Sequence, residues 1–194
     1  MKTRKNIAIF ISGKGSNAKN IIDYFNGSEK INVKFVFSTK ENPAMAEFCL
    51  INRIMFFLSQ NQTDLSTQQI ELCTNHKIEW VILAGYLKKI TPELIEHVSH
   101  KIINIHPALL PDFGGKGMYG THVHAAVLEA KSLTSGITIH LVNEVFDQGK
   151  ILMQYTCKVE KNETVSSLEQ KIRDLEIRYF PEAISRIVSN EGAY

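Results

Sequence analysis

Apolar residues in this chain arrive as short unbroken runs. Asn6–Ser12 reads NIAIFIS, Val33–Thr39 reads VKFVFST, Ile54–Leu58 reads IMFFL and Trp80–Gly85 reads WVILAG. Runs of about four to eight apolar residues bounded by turn signals fit strands that are covered on both faces. The segments between them suit helices, and Asn17–Phe25 follows the first run directly as its helix. Thr91–His100 opens with an N-cap Thr91 and with Pro92 at the first helical position, and Lys101–Ile105 returns as a strand. Such alternation predicts a Rossmann-like, doubly wound α/β fold with a mostly parallel sheet.

The rhythm changes in the second half. Gly136–Val142 and Ile151–Val159 alternate apolar and polar positions and are joined by eight residues. That is too short for a helical crossover, so these two strands are expected to be antiparallel. Thr164–Val188 then carries apolar residues at Val165, Leu168, Ile172, Leu175, Ile177, Phe180, Ile184 and Ile187. The spacing predicts a long C-terminal helix with an interruption or kink at Pro181. With no repeat, low-complexity tract or Pro/Ser-rich linker, one domain over residues 1–194 is expected.

Composition narrows the function classes. The 194 residues are 44% hydrophobic and 22% charged, the balance of a globular protein, with 22 Lys and Arg against 20 acidic residues. A net charge of +2 does not suit a nucleic-acid sleeve or a membrane-surface binder, so no nucleic acid and no membrane are expected as partners. Cys49, Cys73 and Cys157 are isolated, without the spacing of a zinc site or a disulfide framework, which fits a reducing compartment. No apolar stretch reaches the roughly 18 residues of a membrane span, and the first residues lack a signal-peptide pattern, so a cytoplasmic monomer or homodimer is expected.

Ligands in open α/β sheets gather at the carboxyl ends of strands, which gives three segments priority. Ser12–Asn17 (SGKGSN) places two glycines, a hydroxyl and an amide at a helix start, where backbone N–H groups cradle anions such as a monophosphate. It matches neither the P-loop nor the GxGxxG pattern, and an ordinary Gly-rich turn is the plainer alternative. Ile103–Pro111 (INIHPALLP) puts Asn104 and His106 two residues apart, on one face of an extended segment. An amide donor and an imidazole converging there suit oxyanion stabilisation and proton transfer, unless they only satisfy a strand end. Val145–Gly149 (VFDQG) holds Asp147 in a turn, where Asp is commonly a turn former. Near His106 its charge would favour the imidazolium and raise the imidazole pKa. His122 and His124 form a same-face pair but lack a third ligand at metal spacing, so no metal is expected. His76, His97 and His100 are expected in solvent on helical segments, and Trp80 in the core.

Together, SGKGSN, AGYLKKI at Ala84–Ile90, NIHPALLP, SGITIHLV and FDQG resemble the folate-dependent formyltransferases, over nearly the whole chain and in order. The SGxGSN loop is similar to the branch that acts on glycinamide ribonucleotide. The resemblance implies transfer of a formyl group from 10-formyltetrahydrofolate, the cosubstrate, to the ribonucleotide amine in purine biosynthesis. It implies Asn104, His106 and Asp147 as the catalytic set. Gly15, Ser16, Asn17 and Glu176 would bind the ribonucleotide, and Leu87, Lys88, Lys89, Ile90 and Val142 the folate, with His140 close to the site. Two departures stand out: no arginine lies between Arg53 and Arg173, which leaves Lys88 or Lys89 for the folate carboxylate, and Phe113–Gly120 (FGGKGMYG) is longer than the family's short turn. A formyltetrahydrofolate hydrolase and a silent phosphate-binding module are the alternatives.

Overall fold

A computed structural model describes residues 4–60 and 64–190. Seven strands form one sheet in the order β3-β2-β1-β4-β5-β6-β7. Strands β1 (Lys5–Ile11), β2 (Ile31–Ser38), β3 (Met55–Leu58), β4 (Trp80–Leu83) and β5 (Ile102–His106) run parallel. Strands β6 (Thr134–Leu141) and β7 (Ile151–Lys158) are antiparallel, as the short connection required. The chain winds outward from β1 to β3, then returns to lay β4 on the other side of β1. That reversal opens a crevice at the carboxyl ends of β1 and β4.

Alternation along β1 shows why the runs are unbroken. Ile7, Ile9 and Ile11 pack on one face with residues of α1 (Ser16–Phe25) and α6 (Val165–Ser189), while Ala8 and Phe10 pack on the other with Cys73 of α3 (Leu65–Asn75) and Leu94 of α4 (Pro92–His97). Helix α2 (Pro43–Ile51) contributes Met45 and Cys49 to the first layer, and α5 (Thr121–Glu129) contributes Val123 and Val127. Trp80 is in the core, as expected.

Several boundaries differ from the sequence reading. Helix α4 ends at His97, because Ser99 and His100 adopt positive φ and turn the chain sharply into β5. The C-terminal helix runs through Pro181 as one element. Proline removes an N–H and so frees the carbonyl of Ile177, but that oxygen accepts a hydrogen bond from the Asn20 side chain at 2.7 Å. Of the other predicted surface histidines, His76 instead sits against the rings of Phe35 and Phe57, whereas His97 and His100 are exposed.

Two connections set up the site. The loop from β6 to β7 returns so tightly that a Cβ on Gly149 would lie 1.6 Å from the Leu141 carbonyl oxygen, so only glycine fits there. After β5, the buried Thr138 hydroxyl donates to Ala108 O at 2.7 Å and accepts from Leu110 N at 3.0 Å. Gln154 adds a bond to Leu110 O at 2.9 Å. The HPALLP segment is thereby fixed to the antiparallel pair. No helix among the described residues is long and apolar enough to cross a membrane.

Candidate active site

The crevice opens into a cleft of about 690 Å³. Its first wall is the turn from β1 to α1. Gly15 takes φ +79° as the N-cap residue, and no side chain caps the helix, so the first N–H groups of α1 are not taken up by a cap. Asn42 props the turn from beneath, donating to Gly13 O at 3.0 Å. Asn17 donates to the Glu176 carboxylate at 2.9 Å, which joins the turn to α6. Burial pushes the Glu176 carboxyl above its ordinary pKa, against the hydrogen bond from Asn17.

At the other end, β5, β6 and the β6–β7 loop converge. Asn104 and His106 both line the cleft, with His140 alongside on β6, paired in register with Asn104. Asn104 Nδ2 lies 3.0 Å from His140 Nε2, and His140 Nδ1 lies 2.8 Å from Leu141 O. A carbonyl oxygen only accepts, so His140 donates from Nδ1 to Leu141 O, and its Nε2 faces both the Asn104 amide and the Asp147 carboxylate. By the same logic His106 donates from Nε2 to Phe113 O at 2.8 Å, which turns Nδ1 toward Asp147. Asp147 sits between both rings, with Oδ2 3.5 Å from His106 Nδ1 and Oδ1 3.6 Å from His140 Nε2. Gly115 N–H also donates to Asp147 Oδ2 at 2.9 Å.

The electrostatics correct one expectation. Burial, with His106 only 3% exposed, outweighs the neighbouring Asp147 charge and places the imidazole below its ordinary pKa. Asp147 does act upward on it, as the sequence suggested, but does not win. The Asp147 carboxyl is itself pushed up by burial, yet His140, His106 and the Gly115 N–H together hold it below the usual carboxylate range. The pair therefore rests as a carboxylate beside a neutral ring.

A second, smaller cavity of about 70 Å³ meets the first at Asn104 and Asp147. Lys88, Lys89, Ile90, His140 and Val142 line it, with Tyr86 and Phe146 shared between the two. The residues expected to bind folate thus gather in one place, except Leu87, which faces the larger cleft. Leu87 N–H donates to the Ser12 hydroxyl at 3.0 Å, which binds its strand end to the β1 turn.

The model of the formyl transferase family matches residues 5–184. The chain belongs to the formyl transferase family. A Bacillus subtilis protein named phosphoribosylglycinamide formyltransferase is 32% identical over 97% of this chain and 98% of its own length. An Arabidopsis thaliana protein of that name, described as chloroplastic, is 38% identical over 95% of this chain, which spans 65% of that relative's length. The crystal structure of phosphoribosylglycinamide formyltransferase from Bacillus halodurans superimposes with a TM-score of 0.85 at 29% identity, covering 96% of each chain.

Sequence reasoning missed several cleft residues. His122 and His124 lie on α5, so the two-residue spacing does not make them a same-face pair: His122 is exposed against Tyr119, and His124 is 3% exposed and lines the cleft. Burial also lowers the His124 pKa, and its Nδ1 has no hydrogen-bond partner among the described residues. Glu169, Ile172 and Arg173 join Glu176 on the face of α6 that lines the cleft. Stepping back from Glu176 by three, four and seven residues, the helical period, would have found all three.

Proposed function

We propose that this chain transfers the formyl group of 10-formyltetrahydrofolate to the amine of glycinamide ribonucleotide, a step of purine biosynthesis. The observation that carries the reading is the meeting of two cavities at Asn104 and Asp147, one of them ending at an uncapped helix start suited to a phosphate. Gly15, Ser16 and Asn17 hold the phosphate, and Glu176 contacts the same substrate. Lys88, Lys89, Ile90 and Val142 hold the folate on the other side, where the exposed Val145 and Phe146 stand at the rim of the small cavity.

The attacking amine forms a bond to the formyl carbon, and the carbonyl electrons move onto oxygen. The Asn104 amide, which lines the cleft, donates to that oxyanion. Neutral His106 takes the proton released by the amine on Nδ1, where Asp147 stabilises the imidazolium. The proton then passes to N10 of the folate, the oxyanion pair re-forms the carbonyl, the bond from carbon to N10 breaks, and its electron pair stays on nitrogen. A buried ring with a low pKa is the right starting state for this role, because it begins as a base and becomes an acid within one turnover. Holding both substrates in one crevice supplies further acceleration.

The test is folate product formation from 10-formyltetrahydrofolate with and without glycinamide ribonucleotide. Turnover that requires the ribonucleotide supports the transferase. Equal turnover without it means that water is the nucleophile and the chain is a hydrolase, and no turnover in either case leaves a binding module.

A further inference from the structure

The cleft holds more charge than the family motifs account for. Its carboxylates are engaged: Asp147 with His106, His140 and Gly115, Glu176 with Asn17, and Glu169 with Arg173 at 3.7 Å. Among the described residues that line it, Lys14 and Lys116 are the two cations without an ion pair. Lys14 stands in the β1–α1 turn, next to the uncapped start of α1. Lys116 stands in the long glycine loop after β5, between Gly115 at φ +97° and Gly117 at φ +92°. A Cβ on either glycine would meet nothing within 4 Å, so these glycines are there for the backbone shape of the loop and not for space. The loop is held in place by Gly115 N–H on Asp147, by Phe113 O on His106 Nε2 and by the bond from Met118 N to Gly115 O at 3.1 Å. It therefore presents Lys116 to the cleft from a fixed frame. The buried His124, with Nδ1 unpartnered, marks the same cleft as built for a polar ligand.

Resting on the reading of the cleft as the ribonucleotide side, we infer that Lys14 and Lys116 grip the phosphomonoester from two separate loops, in addition to the helix start. A phosphate monoester carries between one and two negative charges near neutral pH, which two ammonium groups match better than backbone N–H groups alone. Both lysines are exposed, so the grip is wet, adds to affinity in modest steps, and weakens with salt. The longer loop is thus a specificity element that ties the phosphate to the same segment that holds Asp147 and His106.

The test is calorimetric binding of ribose 5-phosphate to the full chain and to Lys14→Met, Lys116→Met and the double variant, at low and at raised salt. Each single change should weaken binding by about tenfold, and the double variant should lose most of the salt dependence. Lys131→Met, on the surface at the end of α5, serves as the control and should bind as the unaltered chain does. Binding of 10-formyltetrahydrofolate, followed on the same proteins, separates a lost phosphate contact from a damaged fold. Ribose 5-phosphate affinity that is unchanged in Lys116→Met, or a loss that falls equally on the folate, overturns the inference. Phosphate binding that depends on both lysines in a chain that fails to formylate the ribonucleotide keeps the grip and discards the transferase reading.

Discussion

At one end of the cleft Lys14 and Ser16 stand in solvent beside an uncapped helix start, and at the other His106 and His140 are 3% and 2% exposed around a carboxylate. The first end rests on backbone dipoles and exposed side chains, whose attraction is spread and easily screened. The second end is dry, and every ring nitrogen and carboxylate oxygen there faces a named group. In low-dielectric surroundings charges interact strongly, so small geometric changes alter protonation and rate. The contrast assigns anchoring to the wet end and bond making to the dry end. Variants at the two ends should therefore separate into those that alter KM and those that alter kcat.

The largest effect belongs to the dry end. His106→Ala should lower kcat by roughly 10³-fold and Asp147→Asn by roughly 10²-fold, read from steady-state folate product formation. Because the two act as a unit, the double variant should cost far less than the product of the single losses. Full multiplicativity would separate Asp147 from His106 and leave it as a turn residue. Asn104→Ala should cost about 10²-fold in kcat, the usual loss of one oxyanion donor. If that loss fell on KM instead, the amide would be a binding group and the oxyanion would be held elsewhere.

The wet end should respond differently. Ser16→Ala should raise KM for the ribonucleotide by roughly fivefold to tenfold, the loss of one hydrogen bond to a charged group, with little change in KM for the folate. A loss confined to the folate would mean that the two cavities are assigned in reverse. The smallest effect is at the folate rim, where Lys88→Ala and Lys89→Ala should each weaken folate binding by only about twofold to fivefold, less at high salt. Lysine is a point charge there, without the bidentate fork of arginine. Folate affinity and salt dependence that stay unchanged in both variants would place the folate carboxylate elsewhere.

The two ends also differ in how legible they were. Strands β1 and β4 announce themselves as unbroken apolar runs because both of their faces are covered, and the SGKGSN turn could be read directly from its glycines. The Asn104 and His106 pair followed from strand parity alone. Asp147 was only a turn residue by its local sequence, since nothing near it in the chain tells that the β6–β7 loop folds back over β5. A two-residue spacing puts His122 and His124 on one face only in an extended segment and this one is helical, while Arg173 reaches the cleft with Glu176 through the helical period of α6. The state of His106 was misjudged for a physical reason: the Asp147 charge could be inferred from the motif, but the burial that outweighs it depends on the packing of the whole loop after β5. What is local in sequence could be read, and what arises from convergence of distant segments could not.

Acid should expose the same balance in stability. The His106 and His124 pKa values lie below that of a free imidazole, so between the folded value and about 6.5 the unfolded chain binds more protons. Stability should therefore fall as pH drops below about 6.5, and Asp147, also held low, extends the fall at more acid pH.

The most direct test of the central claim, that a buried neutral His106 beside an ionised Asp147 moves the proton, is an NMR titration of the His106 ring in the unaltered chain and in Asp147→Asn, with kcat followed against pH on the same samples. The account predicts that His106 titrates below the ordinary imidazole range, that the acid limb of kcat tracks it, and that both move to still lower pH in Asp147→Asn, where the upward pull of the carboxylate is gone. A His106 that titrates at the ordinary value, or one whose titration is the same in both proteins, would contradict it.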